Sequence, residues 1–150
     1  MTPSAFMRLA LEEAEAAAER GEIPVGALIV DGDTGAVLAR AGNRVEELDD
    51  PTAHAEMLVI RAAARKSGGP RLRACDLYVT LEPCAMCAAA ISLARIRRVY
   101  FGAYDPKSGG VEHGARVFDL PTCHHRPVVY GGLQEIAAKA LLRRFFDERR

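Results

Sequence analysis

The 150-residue sequence has no net charge, because twenty Lys and Arg balance twenty Asp and Glu. That balance argues against indiscriminate nucleic-acid binding, which needs a basic excess, although it leaves local patches open. No apolar run is long enough to cross a membrane, and no charged-then-apolar leader opens the chain, so the expected location is cytoplasmic. Cysteine is scarce, four residues in all. In a cytoplasmic chain, two of them spaced as Cys84-x-x-Cys87 indicate metal or redox chemistry more than a disulfide framework. Repeats, low-complexity segments and linkers are missing too, so residues 1–150 read as a single domain. A chain of this length buries about 70% of the surface its unfolded form exposes, and it needs no disulfide or metal staple to fold.

What is present is a regular alternation of element signals. Thr2-Pro3 is a helix start and Gly21 a stop, with Phe6, Leu9, Ala10, Glu13, Ala14 and Ala17 on one face between them. Val25 to Val30 and Val37 to Ala41 flank a turn of Asp31, Gly32, Asp33 and Gly35, which predicts a hairpin. Residues 42–53 read as polar and irregular. A helix is expected from His54 to Ser67, a strand from Leu77 to Thr80, a helix from after Pro83 to Ala94 and a strand from Val99 to Ala103. Tyr104 to Gly114 is a glycine-rich loop, Pro127 to Tyr130 a fifth strand, and Leu133 to Asp147 a last helix with Leu133, Ile136, Ala137, Ala140 and Leu141 as its apolar stripe. The pattern predicts an α/β fold, a layered α/β/α sandwich around a mixed five-stranded sheet.

Two segments carry the chemistry: His54-Ala55-Glu56 and Pro83-Cys84-Ala85-Met86-Cys87. Each falls where a helix is expected to begin. Cysteines three apart in a first helical turn share a face, and a helix N-terminus favours the thiolates that zinc requires. Adding one imidazole gives His54, Cys84 and Cys87 as ligands. A structural zinc site is closed by four protein ligands, whereas a catalytic one keeps a position open, so three ligands fit a catalytic site. Glu56, two residues past the histidine, is placed to move protons to and from a water that zinc would acidify. Cys75 and Cys123 read as small buried residues, and His113, His124 and His125 as surface or supporting residues rather than ligands.

His-x-Glu followed by Pro-Cys-x-x-Cys is a known signature of zinc nucleobase deaminases. The chain further resembles the bacterial tRNA-specific adenosine deaminases, a cytidine deaminase-like family. The resemblance runs through Ile23-Pro24-Val25-Gly26-Ala27, Gly42-Asn43-Arg44, Asp50 to Glu56, Leu77 to Cys84 and Arg98 to Asp105. It implies conversion of the wobble adenosine of a tRNA anticodon to inosine, with release of ammonia and one zinc ion per subunit. It also implies a homodimer in which the loop before His54 receives the flipped-out nucleotide.

Several residues matching the family's substrate side are ambiguous on their own. Asn43 is either a base or ribose contact or a turn residue after Gly42. Ala55 and Pro83, inside the matched motifs, are carried over as substrate-binding. Asp105 and Lys107 either face the nucleotides or form a polar turn around Pro106. Phe145 and Arg149, with Phe146 and Arg150, either approach the anticodon or pack and cap the last helix. Glu82 either braces the metal loop or caps the following helix. Arg143, Arg144, Arg149, Arg150 and Lys107 are expected to share the face of the active site, with the acidic first helix (Glu12, Glu13, Glu15, Glu19) turned away. Two other readings use the same residues: a deaminase of a free base or nucleoside such as guanine or cytidine, and a non-catalytic zinc or RNA-binding module. Glu56 speaks against the module, since a structural site has no use for a carboxylate beside an open metal position.

Overall fold

The structure, a computed structural model, describes residues 1–149; Arg150, counted above among the terminal arginines, lies outside them. Helix α1 (Pro3–Glu19) leads into a hairpin of β1 (Gly26–Asp31) and β2 (Val37–Gly42). A short α2 (Val45–Leu48) and the longer α3 (Ala55–Ser67) follow, then β3 (Cys75–Leu81), α4 (Ala85–Ala94) and β4 (Arg98–Ala103). A 3-10 turn (Val117–Asp119), β5 (Val128–Tyr130) and α5 (Glu135–Asp147) complete the described chain.

The five strands form one mixed sheet in the order β2-β1-β3-β4-β5. β1 pairs antiparallel with both β2 and β3, while β3, β4 and β5 run parallel. Alternation along the strands sends residues to two helix layers. Ala27, Ile29, Leu77, Val79, Val99 and Phe101 pack with Ala55 and Val59 of α3 and Ala88 and Ile91 of α4. Leu28, Val30 and Tyr78 face the other way, onto Phe6, Met7 and Ala10 of α1. Helix α5 lies in that second layer, its Ala138 packed with Leu11 of α1 and Ala103 of β4. The expected α/β/α sandwich with a mixed five-stranded sheet is what forms.

Helix α1 begins as its sequence predicts, with the Thr2 hydroxyl accepting the Ala5 N–H at 3.1 Å. It can lie close on the sheet because Gly26 and Gly42 are paired across β1 and β2. A Cβ at Gly26 would collide with the Ala10 carbonyl and the Ala14 nitrogen, and one at Gly42 would stand 2.6 Å from the Glu13 carbonyl.

Two expectations need correction. Residues 42–53 are not wholly irregular: α2 forms there, its leading amides satisfied by Glu22 from a distant segment rather than by a local cap. The apolar stripe of the last helix is also rotated. Ala138, Leu141 and Phe145 are buried, while Ile136 is 86% exposed. The helix starts only at Glu135, after Gln134 turns through the left-handed region (φ 57), so its phase is not continuous with Leu133.

Because Gly26 sits against backbone rather than a flexible side chain, Gly26→Ala is expected to cost about 3 kcal/mol or more. The measurement is a lowered urea midpoint at unchanged denaturant sensitivity.

Candidate active site

His54 is the last extended residue before α3, and Cys84 the last before α4. Both helix starts therefore bring their positive dipole ends to the same place. His54 Nδ1 stands 3.7 Å from Cys84 Sγ and 3.5 Å from Cys87 Sγ, and all three donor atoms lie within 4.8 Å of one another. Tetrahedral zinc with Zn–S of about 2.3 Å and Zn–N of about 2.1 Å holds such donors about 3.6 Å apart. The donor set therefore fits zinc in both chemistry and spacing, and among the described residues it is the one His/Cys/Asp/Glu group with that character.

The electrostatics agree. The Cys87 thiol hydrogen-bonds the Cys84 sulfur and drops the Cys84 pKa to about 4, against the opposing effect of burial. That same pairing, with burial, pushes the Cys87 thiol up. The hydrogen bond to Cys84 raises His54. Glu56 lies in the first turn of α3 and is only 4% exposed. Burial strips its carboxylate of water and, with the negative charge of Cys84 nearby, raises its pKa to about 7. A carboxyl poised at neutrality beside a three-donor metal site can both take and return a proton.

Asn43 reaches this cluster through the backbone. Its Oδ1 accepts the Ala55 N–H at 2.7 Å, taking the capping place that His54 leaves open. No group among the described residues accepts its amide N–H2, which is not cut off from solvent. Ala55, expected on the substrate side, is fully buried, and its N–H donates to Asn43. Pro83 is buried as well, and its carbonyl accepts the Gly110 N–H at 2.8 Å.

Glu82 settles its own ambiguity. It does not cap α4. With its side chain fully buried, Oε1 accepts the Asp105 N–H (3.0 Å) and His113 Nδ1 (2.8 Å), and Oε2 accepts the amides of Val111, Glu112 and His113 (3.0–3.2 Å). Burial alone would raise its pKa, but the Asp105 amide, His113 and the other donors hold it below the ordinary value. This carboxylate folds the 105–113 loop back onto the metal-ligand helix. Gly110 then lies so close that a Cβ there would stand 2.5 Å from the Ala85 nitrogen. Asp105 forms a polar turn, one of its two readings, its Oδ1 accepting the amides of Lys107 and Ser108, and Lys107 is left exposed.

The remaining candidates fall elsewhere. Phe145 is 5% exposed and lies under the Arg149 guanidinium, 3.5 Å from its ring centre, which matches the packing alternative of its two readings; the exposed ring is that of Phe146. Both sit in the α1 layer, opposite α3 and α4. Arg144 lines a groove together with Glu15 and Glu19. The acidic first helix therefore does not turn away from the C-terminal arginines; it runs beside them. His125 is a structural link, its Nε2 bonded to the Ile96 carbonyl at 2.8 Å, and His124 is exposed. Cys75 is buried as expected, whereas Cys123 is half-exposed and donates to the His125 carbonyl.

Fold and site together define a zinc-binding deaminase, and comparison with known proteins agrees. The family model for the cytidine and deoxycytidylate deaminase zinc-binding region matches residues 1–103. A tRNA-specific adenosine deaminase of Agrobacterium fabrum is 60% identical over 145 residues, covering 97% of this chain and 94% of that protein. The same-named protein of Aquifex aeolicus is 49% identical over 146 residues, with 97% and 94% covered. A solved structure from work on A-to-I editing at the wobble position of transfer RNA matches with a TM-score of 0.89 and 59% identity, over 92% of this chain and 99% of that one. A guanine deaminase from Nitrosomonas europaea matches with a TM-score of 0.83 at 27% identity, over 96% and 84%. The chain belongs to the family of the tRNA-specific adenosine deaminases.

Replacing Glu82 by Gln would turn an amide N–H2 toward amide donors and leave buried groups unpaired, at a cost of about 2–3 kcal/mol. Since its pKa is held down in the folded state, the carboxylate's contribution is present above the ordinary carboxylate range and is lost as pH falls through the lowered value. Urea midpoints across pH, with limited proteolysis within residues 105–113, test this: wild type should lose the protection only in acid, and Glu82→Gln should lack it throughout.

Proposed function

We propose that this chain deaminates the wobble adenosine of a tRNA anticodon to inosine, acting as a single domain over residues 1–150 in the cytoplasm. The observation that carries the reading is Glu56, a carboxyl buried in the first turn of α3 beside three donors spaced for zinc. When bound by His54, Cys84 and Cys87, zinc supplies Lewis acidity that makes water a nucleophile near neutral pH. Glu56 takes the proton from the attacking water as its oxygen bonds adenine C6, and returns it to ring N1. It then carries the remaining proton of that oxygen to the N6 amine as the C6–N6 bond breaks, so that ammonia leaves and a carbonyl remains at C6.

Asn43 offers its unused amide N–H2 to the nucleotide, held in place by Ala55. The 105–113 loop, braced on Glu82 and the Pro83 carbonyl, forms the opposite wall, with exposed Lys107 available to a phosphate and Asp105 shaping the turn. Arg149 supplies a further cation to the RNA. An anticodon loop suits such a site, because an unpaired base is the cheapest to turn out of its stack. No helix among the described residues is long and apolar enough to cross a membrane. Helix α4 has no charged residue and leaves Ala85, Ala89 and Leu93 uncovered, Leu93 to 62%. That face supports a homodimer through α4.

The decisive comparison sets an anticodon stem-loop bearing a wobble adenine against free adenosine, guanine and cytidine. Inosine should form in the stem-loop alone, with an affinity that falls as salt rises. Deamination of a free base with the RNA untouched would leave the site chemistry intact and remove the RNA substrate. Glu56→Gln should retain zinc and lose about 10³-fold or more in activity, whereas full activity would remove the proposed proton carrier. Leu93→Arg should shift sedimentation from dimer to monomer.

A further inference from the structure

Glu22 takes no part in the chemistry described above. It lies in the connector between α1 and β1 and is 2% exposed. Its Oε1 accepts the Glu46 N–H at 3.1 Å and its Oε2 the Glu47 N–H at 2.9 Å, the leading amides of α2. From the same connector Arg20 donates to the Asn43 carbonyl at 3.1 Å and lies 3.7 Å from the Glu47 carboxylate. The Asn43 N–H in turn donates to the Val25 carbonyl at 3.1 Å. Residues 20–25 thus grip residues 43–47 on both sides of the one side chain in that segment that reaches Ala55.

Burying a carboxylate is an expensive way to satisfy two amides, since a local Ser or Asp would cap a helix at less cost in desolvation. What the two-pronged grip adds is fixed register. Asn43 has its main chain bonded through both N–H and C=O, and its Oδ1 bonded to Ala55. Its amide N–H2 then has one direction left, and a donor held in one direction loses little entropy on meeting a ligand.

We infer that Glu22 is a positioning residue for the substrate. It aims the Asn43 amide at the nucleotide and acts through the 43–47 segment, without touching substrate itself. The inference rests on the reading of Asn43 as a nucleotide contact.

The test uses the full-length zinc-loaded protein and the wobble-adenine stem-loop, with kcat and KM measured for wild type, Glu22→Gln, Asn43→Ala and the double variant. Asn43→Ala is expected to raise KM about tenfold, the loss of one good hydrogen bond. Glu22→Gln should raise KM severalfold, with kcat within about twofold and zinc content unchanged, and the double variant should be no worse than Asn43→Ala alone. A merely structural role would lower the active fraction, and hence kcat, at constant KM, and its effect would multiply with that of Asn43→Ala. If Asn43→Ala leaves KM unchanged, the Asn43 reading fails and the inference with it. If Asn43→Ala raises KM while Glu22→Gln leaves it alone, or the two effects multiply, the inference alone fails. Should Glu22→Gln not fold, Arg20→Met, on a side chain 29% exposed, carries the same comparison with the same outcomes.

Discussion

His54 and Cys84 are thirty residues apart in the chain, yet their donor atoms stand 3.7 Å apart, with Cys87 closing the set. That spacing holds only if α3 and α4 begin side by side in one layer. Their packing against Ala27, Ile29, Leu77 and Val79 brings the two helix starts together. Two positive dipole ends meeting there favour the negative charge that the cysteines share, and a cation is what balances a donor set of that kind. Burial of Glu56 follows from the same arrangement. A carboxyl in the first turn of α3 lies under the ligands, cut off from water, and its proton affinity rises to suit neutral pH.

Around this centre the segments packed on the two helix starts are loops, and loops need something other than a hydrophobic face to hold them. Here each segment is tied to a buried glutamate. Glu82 gathers the 105–113 loop and Glu22 the 43–47 segment, in both cases through backbone amides. An unpartnered buried carboxylate would cost several kcal/mol, so each loop and its carboxylate are stable only together. The close packing of Gly110 on Ala85, and of Gly26 and Gly42 on α1, shows the same economy: backbone lies on backbone where a side chain would force the layers apart.

The sheet, its hairpin, the helix boundaries near Thr2, His54, Cys84 and Gly68 and the metal donors were legible because each is written in local pattern: period, caps, or a three-residue spacing on a helix turn. The glutamates were not. Nothing in Gly21-Glu22-Ile23-Pro24 marks a carboxylate that serves amides more than twenty residues away, and Glu82 reads equally well as a cap for the helix beside it. Phe145 and Arg149 stayed ambiguous for a related reason. Aromatic and basic residues at a chain end suit both RNA contact and self-packing, and only burial distinguishes them.

The amino-acid sequence by itself determined the chemistry of this protein. His54, Cys84 and Cys87 define a zinc-type donor set with the Glu56 carboxyl two residues past the histidine, since donor identity and spacing on helix turns are local properties. Tertiary structure alone decided how that chemistry is aimed. It set the phase of α5 after the left-handed Gln134, the placing of α1 beside the terminal arginines, and the tying of the 43–47 segment to Glu22 and of the 105–113 loop to Glu82. Each of these depends on which buried polar group finds which distant partner, and that is settled only when the layers close and water is excluded.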